Sequence, residues 1–334
     1  MKAMVLYETS PIETGPLRFI DVPEPVPGPG EVLIRVRTCG ICRTDLHVIE
    51  GELPRRKLPI IPGHQIVGVV EQTGAGCTDL RAGQRVGVAW LRGVCGTCRF
   101  CIRGRENLCE ASRYTGYDAD GGYAEYAVAP ERFVYSLPDA FGDIEAAPLL
   151  CAGIIGYRAL QRCAMPAGGT LALYGFGSSA HVVFQLARHR GHTVYVVSRG
   201  QRHQQLAREM GADWVGDDPA KLPQPADGAV IFAPAGYLVP RALRSLQKGG
   251  TLVLAGIYMS EIPAMTYEEH LFYERDVRSV TANTREDGRT LLKEAARIPV
   301  KPRVTSYPLS DANRALQDLK ADRIEGSGVL ILSD

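Results

Sequence analysis

Between Thr170 and Ala255 the chain keeps returning to short, wholly apolar runs, and that return limits its folds more than any other feature. Thr170-Leu171-Ala172-Leu173-Tyr174, Thr193-Val194-Tyr195-Val196-Val197, Ala229-Val230-Ile231-Phe232-Ala233 and Thr251-Leu252-Val253-Leu254-Ala255 each read as a buried strand. Helical patterns cover Ser179 to Arg190 and Gln201 to Met210, with an earlier one from Ile154 to Arg162 that ends before Pro166. Strands that are apolar on both faces and alternate with helices call for a parallel sheet covered by crossover helices, an α/β arrangement.

The first 150 residues have another character. Val22-Pro23-Glu24-Pro25-Val26-Pro27-Gly28-Pro29-Gly30 is a turn-rich connection, because proline fixes φ and removes backbone donors. Glu31 to Arg37, Ile66 to Glu71 and Arg85 to Ala89 read as short strands with Gly/Pro turns between them, which predicts a small barrel. Beyond about residue 284 a helix near Asp311 to Lys320 and a last strand, Val329 to Leu332, are expected, and that strand can return to the first domain. A length of 334 residues suits two domains. Net charge is +1, so no strong field points to nucleic acid or to acidic membranes, and no apolar run is long enough to span a bilayer. The N-terminal residues lack the pattern of a signal peptide, so a cytoplasmic location is expected.

Nine cysteines in such a chain are not read as a disulfide framework. Cys95, Cys98, Cys101 and Cys109 have the spacing of a closed tetrahedral zinc site, which stabilises a loop and leaves no position for substrate. The alternative is four small buried apolar side chains. Cys39-Gly40-Ile41-Cys42-Arg43-Thr44-Asp45-Leu46-His47 gathers a thiol, a guanidinium, a hydroxyl, a carboxylate and an imidazole, a mixture that no core strand or surface helix needs for stability. Cys42, His64 and Cys151 are candidates for a second, discontinuous zinc site with its fourth position open, the pattern of catalytic zinc. Singly, a buried Cys is usually core and a His after Gly is usually hydrogen-bonded structure.

Gly175-Phe176-Gly177-Ser178-Ser179-Ala180 follows an expected strand and opens an expected helix, so its backbone N–H groups can approach a pyrophosphate. An acidic residue about 20 positions on would bind the ribose 2′-OH of NAD. Here stand Ser198, Arg199 and Arg202 instead, groups able to bind the 2′-phosphate of NADP, or equally to form a solvated helix start. NADP is favoured, with NAD as the alternative.

These motifs, together with Gly63-His64 and Pro148-Leu149-Leu150-Cys151-Ala152-Gly153, resemble the zinc-dependent alcohol dehydrogenases of the medium-chain dehydrogenase/reductase family over nearly the whole chain. The resemblance implies a GroES-like β-barrel catalytic domain (1–152 and 284–334) plus a doubly wound Rossmann domain (153–283). It implies two zinc ions per chain, with Cys42, His64 and Cys151 holding the catalytic one, which polarises the alcohol oxygen. Thr44 and His47 would carry the hydroxyl proton away, and Arg43 would meet the cofactor pyrophosphate. Asp45 would orient a zinc-bound imidazole, and Trp90 and Leu53 would line a pocket for small or linear alcohols. Members of the family pair through their Rossmann domains, so a homodimer or homotetramer is expected.

Three departures stand out. Gln65 occupies a position where the family usually has Glu, Gly326-Ser327-Gly328-Val329 lacks an Arg aimed at the pyrophosphate, and the acidic ribose residue is missing. The expected activity is reversible hydride transfer between a primary alcohol and NAD(P), on a small-molecule alcohol or aldehyde. Alternatives are a polyol or aryl-alcohol dehydrogenase of the same fold and a non-catalytic NADPH-binding sensor.

Overall fold

An eleven-residue strand, Glu31–Ile41, organises the first half of the chain. In the computed structural model, which describes residues 1–54, 56–298 and 300–332, this strand has neighbours along both edges. One edge carries Gln65–Thr73, antiparallel. The other is shared: Tyr126–Pro130 pairs with its first half and Ser327–Ile331 with its last residues, both antiparallel. The sheet continues through Arg85–Val88 to Val134–Ser136 on one side and through Val304–Pro308 on the other. Val32, Ile34, Ile66, Val70, Val86 and Val88 fill its core, joined by Ile49 and Leu316 from helices. The small barrel expected from the first 150 residues is thus a sheet that also takes in strands from the far end of the chain.

The stretch Cys39 to His47 is divided between two elements. The long strand runs through Cys39, Gly40 and Ile41, and Arg43–Glu50 is a helix. Its buried face is Asp45, Leu46, Val48 and Ile49, so one charged group among apolar ones hid the helical period. The tail also holds more than the expected helix and strand. Arg285–Arg297 is a helix capped by Thr284, whose side chain accepts from Asp287 N–H while Asp287 accepts from Thr284 N–H.

A separate six-stranded sheet, wholly parallel, forms the second half. Its order is Trp214–Gly216, Thr193–Val197, Thr170–Tyr174, Ala226–Ile231, Leu246–Leu254, Asp276–Ser279. Numbered along the chain that is 3-2-1-4-5-6, the doubly wound order of dinucleotide-binding domains, with its switch point between Thr170–Tyr174 and Ala226–Ile231. Two strands expected from apolar runs at 229–233 and 251–255 begin earlier, because Ala226 and Leu246 pair ahead of a register shift. The chain divides into two compact units, Met1–Ala152 with Ala282–Asp334, and Gly153–Thr281. Among the described residues no helix is long and apolar enough to cross a membrane.

Candidate active site

Register brings the first two metal candidates together. Gly40 lies opposite Gln65 in the antiparallel pair, so Cys42, just past one strand, and His64, just before the other, emerge at the same end of the sheet. Cys42 caps the helix Arg43–Glu50: its Sγ accepts from Thr44 N–H at 3.3 Å and its own N–H donates to Asp45 Oδ2 at 2.9 Å. This is a capping box with sulfur in place of a hydroxyl. The other oxygen of buried Asp45, Oδ1, lies 3.0 Å from His64 Nδ1. An ionised carboxylate only accepts, so Nδ1 carries a proton, and Nε2 faces Cys42 Sγ 3.3 Å away.

Cys151 reaches the same place from a π-helical turn, Leu149–Gly153, that follows the helix Asp143–Pro148. Asp143 ties that helix to the sheet: Arg85 Nε donates to Oδ1 at 2.6 Å, Arg37 Nη1 to Oδ2 at 3.2 Å, and Thr38 Oγ1 to its carbonyl at 2.9 Å. The ligand atoms of Cys42, His64 and Cys151 all lie within 4.8 Å of one another. A tetrahedral zinc with ordinary bond lengths separates a thiolate sulfur from an imidazole nitrogen by about 3.6 Å, so the site fits such an ion. A hydrogen bond from Cys151, against burial and with help from His64, holds the Cys42 thiol well below its usual range. Burial works against charge on His64, yet Asp45 and Cys42 raise its pKa to about 10. A thiolate and a carboxylate thus flank the imidazole on its two nitrogens.

The four-cysteine loop forms a second cluster. Its sulfurs also lie within 4.8 Å of one another, with Cys98–Cys101, Cys95–Cys109 and Cys95–Cys101 at 3.5, 3.6 and 3.9 Å. The edge of a zinc–thiolate tetrahedron is about 3.8 Å. The N–H groups of Thr97 and Cys98 draw the Cys95 thiol down to about 6. All nine cysteines are free of disulfides.

Other expected site residues take varied places. Thr44 and His47 lie on the helix behind Cys42, and His47 Nδ1 pairs closely with Glu52. Arg43, at the first helical position, is exposed. Trp90 meets His64 edge-on, ring centroids 4.9 Å apart, and stacks on Tyr114 and Tyr117 at 4.8 and 5.8 Å. Leu53 is half-buried and its N–H reaches the His47 carbonyl at 3.4 Å. Gln65 is buried, and its Nε2 finds no hydrogen-bond partner among the described residues. Glu52, Tyr114, Tyr117 and Asp143 were not anticipated. Each acts through a partner distant in sequence or in a turn, where periodicity carries no signal.

In the second unit, Gly175 leaves the strand Thr170–Tyr174 with φ +87°, and its N–H donates to Val197 O at 2.8 Å. Phe176 is buried, Ser178 and Ser179 open the twelve-residue helix Ser178–His189, and Ala180 packs fully inside. A side chain at Gly177 would project into open space, the room a pyrophosphate needs beside the helix N-terminus. Ser198 is buried at the end of its strand, while Arg199 and Arg202 are exposed. Ser198 N–H donates to Gly216 O, so the carboxylates Asp217 and Asp218 belong to the neighbouring strand end.

Known proteins agree with this geometry. The family described as "Alcohol dehydrogenase GroES-like domain" matches residues 28–139, and "Zinc-binding dehydrogenase" matches residues 180–297. The chain is 48% identical over 337 residues to "Probable alcohol dehydrogenase AdhA" of Mycobacterium tuberculosis (strain CDC 1551 / Oshkosh), covering 99% of this chain and 97% of that one. It is 38% identical to an alcohol dehydrogenase of Geobacillus stearothermophilus, covering 94% and 96%. Among solved structures, the cobalt- and zinc-bound thermostable alcohol dehydrogenase of Pyrobaculum aerophilum superposes with a TM-score of 0.89 at 29% identity, covering 99% of each chain. A relative of nearly half-identical sequence and full length, on a fold with a GroES-like half and a parallel nucleotide-binding half, leaves one conclusion. The chain belongs to the zinc-type alcohol dehydrogenases of the medium-chain dehydrogenase/reductase family, NAD(P)-dependent oxidoreductases whose substrates are small-molecule alcohols or aldehydes.

Proposed function

We propose that this alcohol dehydrogenase transfers hydride reversibly between a primary, small or linear alcohol and NADP. Cys42, His64 and Cys151 would hold a catalytic zinc, and Cys95, Cys98, Cys101 and Cys109 a structural one. The supporting observation is the convergence of two sulfurs and one ring nitrogen within 4.8 Å, with Asp45 fixing the imidazole. When bound, the zinc supplies charge stabilisation to the alcohol oxygen and the nicotinamide accepts the hydride. Thr44 Oγ1 would take the hydroxyl proton as it gives up its own, and His47, paired through Nδ1 with Glu52, would pass a proton to solvent. Trp90, edge-on to His64, narrows the space beside the metal and favours slender substrates.

Support for NADP comes from Ser198, Arg199 and Arg202, which offer a 2′-phosphate a hydroxyl and two cations and no carboxylate on their own turn. The Gly175-Phe176-Gly177-Ser178-Ser179 turn would hold the pyrophosphate. The edge strand Asp276–Ser279, with exposed Phe272, Tyr273 and Val277, supports pairing of two copies through this sheet, as a homodimer or within a homotetramer. The aromatic wall of Trp90, Tyr114 and Tyr117 gives some weight to aryl alcohols; relative turnover of linear and benzylic alcohols separates the two.

The test is Cys42→Ala. We expect one zinc per chain to be lost, aldehyde reduction to fall to background, and NADPH binding to remain. Wild-type turnover in that variant defeats the assignment.

A further inference from the structure

The helix Ser178–His189 starts from Gly177, whose carbonyl takes a second donor beyond the usual one. His181 N–H reaches it at 3.1 Å and closes the first helical turn, and His181 Nδ1 lies at the same 3.1 Å. A carbonyl oxygen only accepts, so Nδ1 carries a proton and donates it. The imidazole is fully buried, and Gln185 Nε2 holds the His181 carbonyl at 3.2 Å one turn further on. A helix start needs only the backbone bond at this carbonyl. The buried ring is an added anchor on one peptide group.

That peptide group lies in the turn that follows the strand Thr170–Tyr174. It is planar and trans, so its C=O and N–H point in opposite directions. Fixing the Gly177 oxygen therefore fixes the line of Ser178 N–H, which points away from the helix, as N–H groups at a helix start do. A second contact stiffens the turn from the side. The helix Ile154–Cys163 packs here through Gly156, where a Cβ would lie 2.6 Å from Val183 Cγ2 and 3.2 Å from Ser179 O.

We propose that His181 is a positioning residue for the nicotinamide cofactor: through Gly177 O it aims Ser178 N–H at the pyrophosphate. The inference rests on the reading of Gly175 to Ser179 as the pyrophosphate turn. The N–H is aligned before the cofactor arrives, so little freedom is lost on binding.

The experiment titrates NADPH, NADH and adenosine 2′-phosphate against the full-length protein, the last by competition with NADPH. His181→Leu fills much of the ring's volume but removes the donor. His181→Asn leaves more empty space but places an amide N–H at the same remove from Cβ as Nδ1. We expect His181→Leu to weaken NADPH and NADH alike by about 3–10-fold, the worth of one hydrogen bond, and His181→Asn to keep most of the affinity. A packing role predicts the reverse order, because His181→Asn leaves the larger cavity. Adenosine 2′-phosphate lacks the pyrophosphate, and its affinity should be the same in wild type and both variants. Wild-type NADPH affinity in His181→Leu, an equal loss in His181→Asn, or an equal loss for adenosine 2′-phosphate overturns the proposal. Gly177→Asp tests the turn itself. A helix start accepts Asp and the side chain enters open space, yet its charge repels a pyrophosphate. Unchanged NADPH affinity in Gly177→Asp overturns the pyrophosphate reading, whatever the His181 variants do.

Discussion

A single carboxylate at the end of the strand Thr193–Val197 should change the choice of cofactor. Ser198 is buried there, with its backbone held by Gly216 O and by Gln204 Nε2, which donates to Ser198 O at 2.6 Å. Ser198→Asp therefore adds charge without moving the turn. It should raise the ratio of kcat/KM for NADH over NADPH by about 10–100-fold, the effect of roughly 1.4–2.8 kcal/mol of repulsion. An unchanged ratio removes the argument for NADP. A second residue-scale test concerns Gly40, where a Cβ would lie 2.9 Å from Gln65 Cδ. Gly40→Ala should cost about 1–3 kcal/mol by overpacking, read in a denaturant melt. At this scale the zinc candidates were legible because thiol spacing and a Gly-His pair are chemical signals that survive without structure. Tyr123 was not. Its place depends on Gly63, where a Cβ would lie 2.3 Å from the tyrosine ring, and a lone aromatic after two glycines has no period to read.

Elements are held by charges as well as by apolar faces. The four-cysteine loop is tied to the helix Arg285–Arg297 by Glu106: Arg285 N–H donates to Oε1 at 2.7 Å and Nη2 to Oε2 at 2.6 Å, while the guanidinium covers the Phe133 ring. Burial pushes the Glu106 carboxyl up, but the Arg285 hydrogen bonds and charge outweigh it, and the net shift is downward. A lowered folded-state pKa means that this stabilisation is present above the unfolded value of about 4.3 and is lost as pH falls through the folded one. Glu106→Gln should thus cost about 2 kcal/mol at pH 7, and the gap to wild type should close in melts below about pH 4. The strands Thr170–Tyr174 and Thr193–Val197 were readable to the residue, because both faces are buried and their runs are purely apolar. The helix Arg285–Arg297 was not. Gly288 and seven charged residues interrupt its period, although the Thr284 and Asp287 spacing of its cap was visible in the letters.

For the molecule as a whole, the parallel sheet ends in the strand Asp276–Ser279, which among the described residues pairs only with Leu246–Leu254; Val277 is 39% exposed. A charge there should block pairing with a second copy. Val277→Asp is expected to halve the sedimenting mass while leaving zinc content and NADPH binding intact; an unchanged mass rejects this edge as the interface. The division into two units was legible from the change of character near Cys151, whereas the exact return point depends on contacts and not on composition.

The sharing of one strand edge by Tyr126–Pro130 and Ser327–Ile331 has a bearing on how the protein is made. A ribosome releases Cys42, His64 and Cys151 first, then the whole of the Gly153–Thr281 unit, and only afterwards the strand that seats Gly328 against Ile41. Until that moment the nascent sheet ends raw beside Cys42. The sheet edge beside Cys42 is thus completed only after the whole of the nucleotide-binding half has been made.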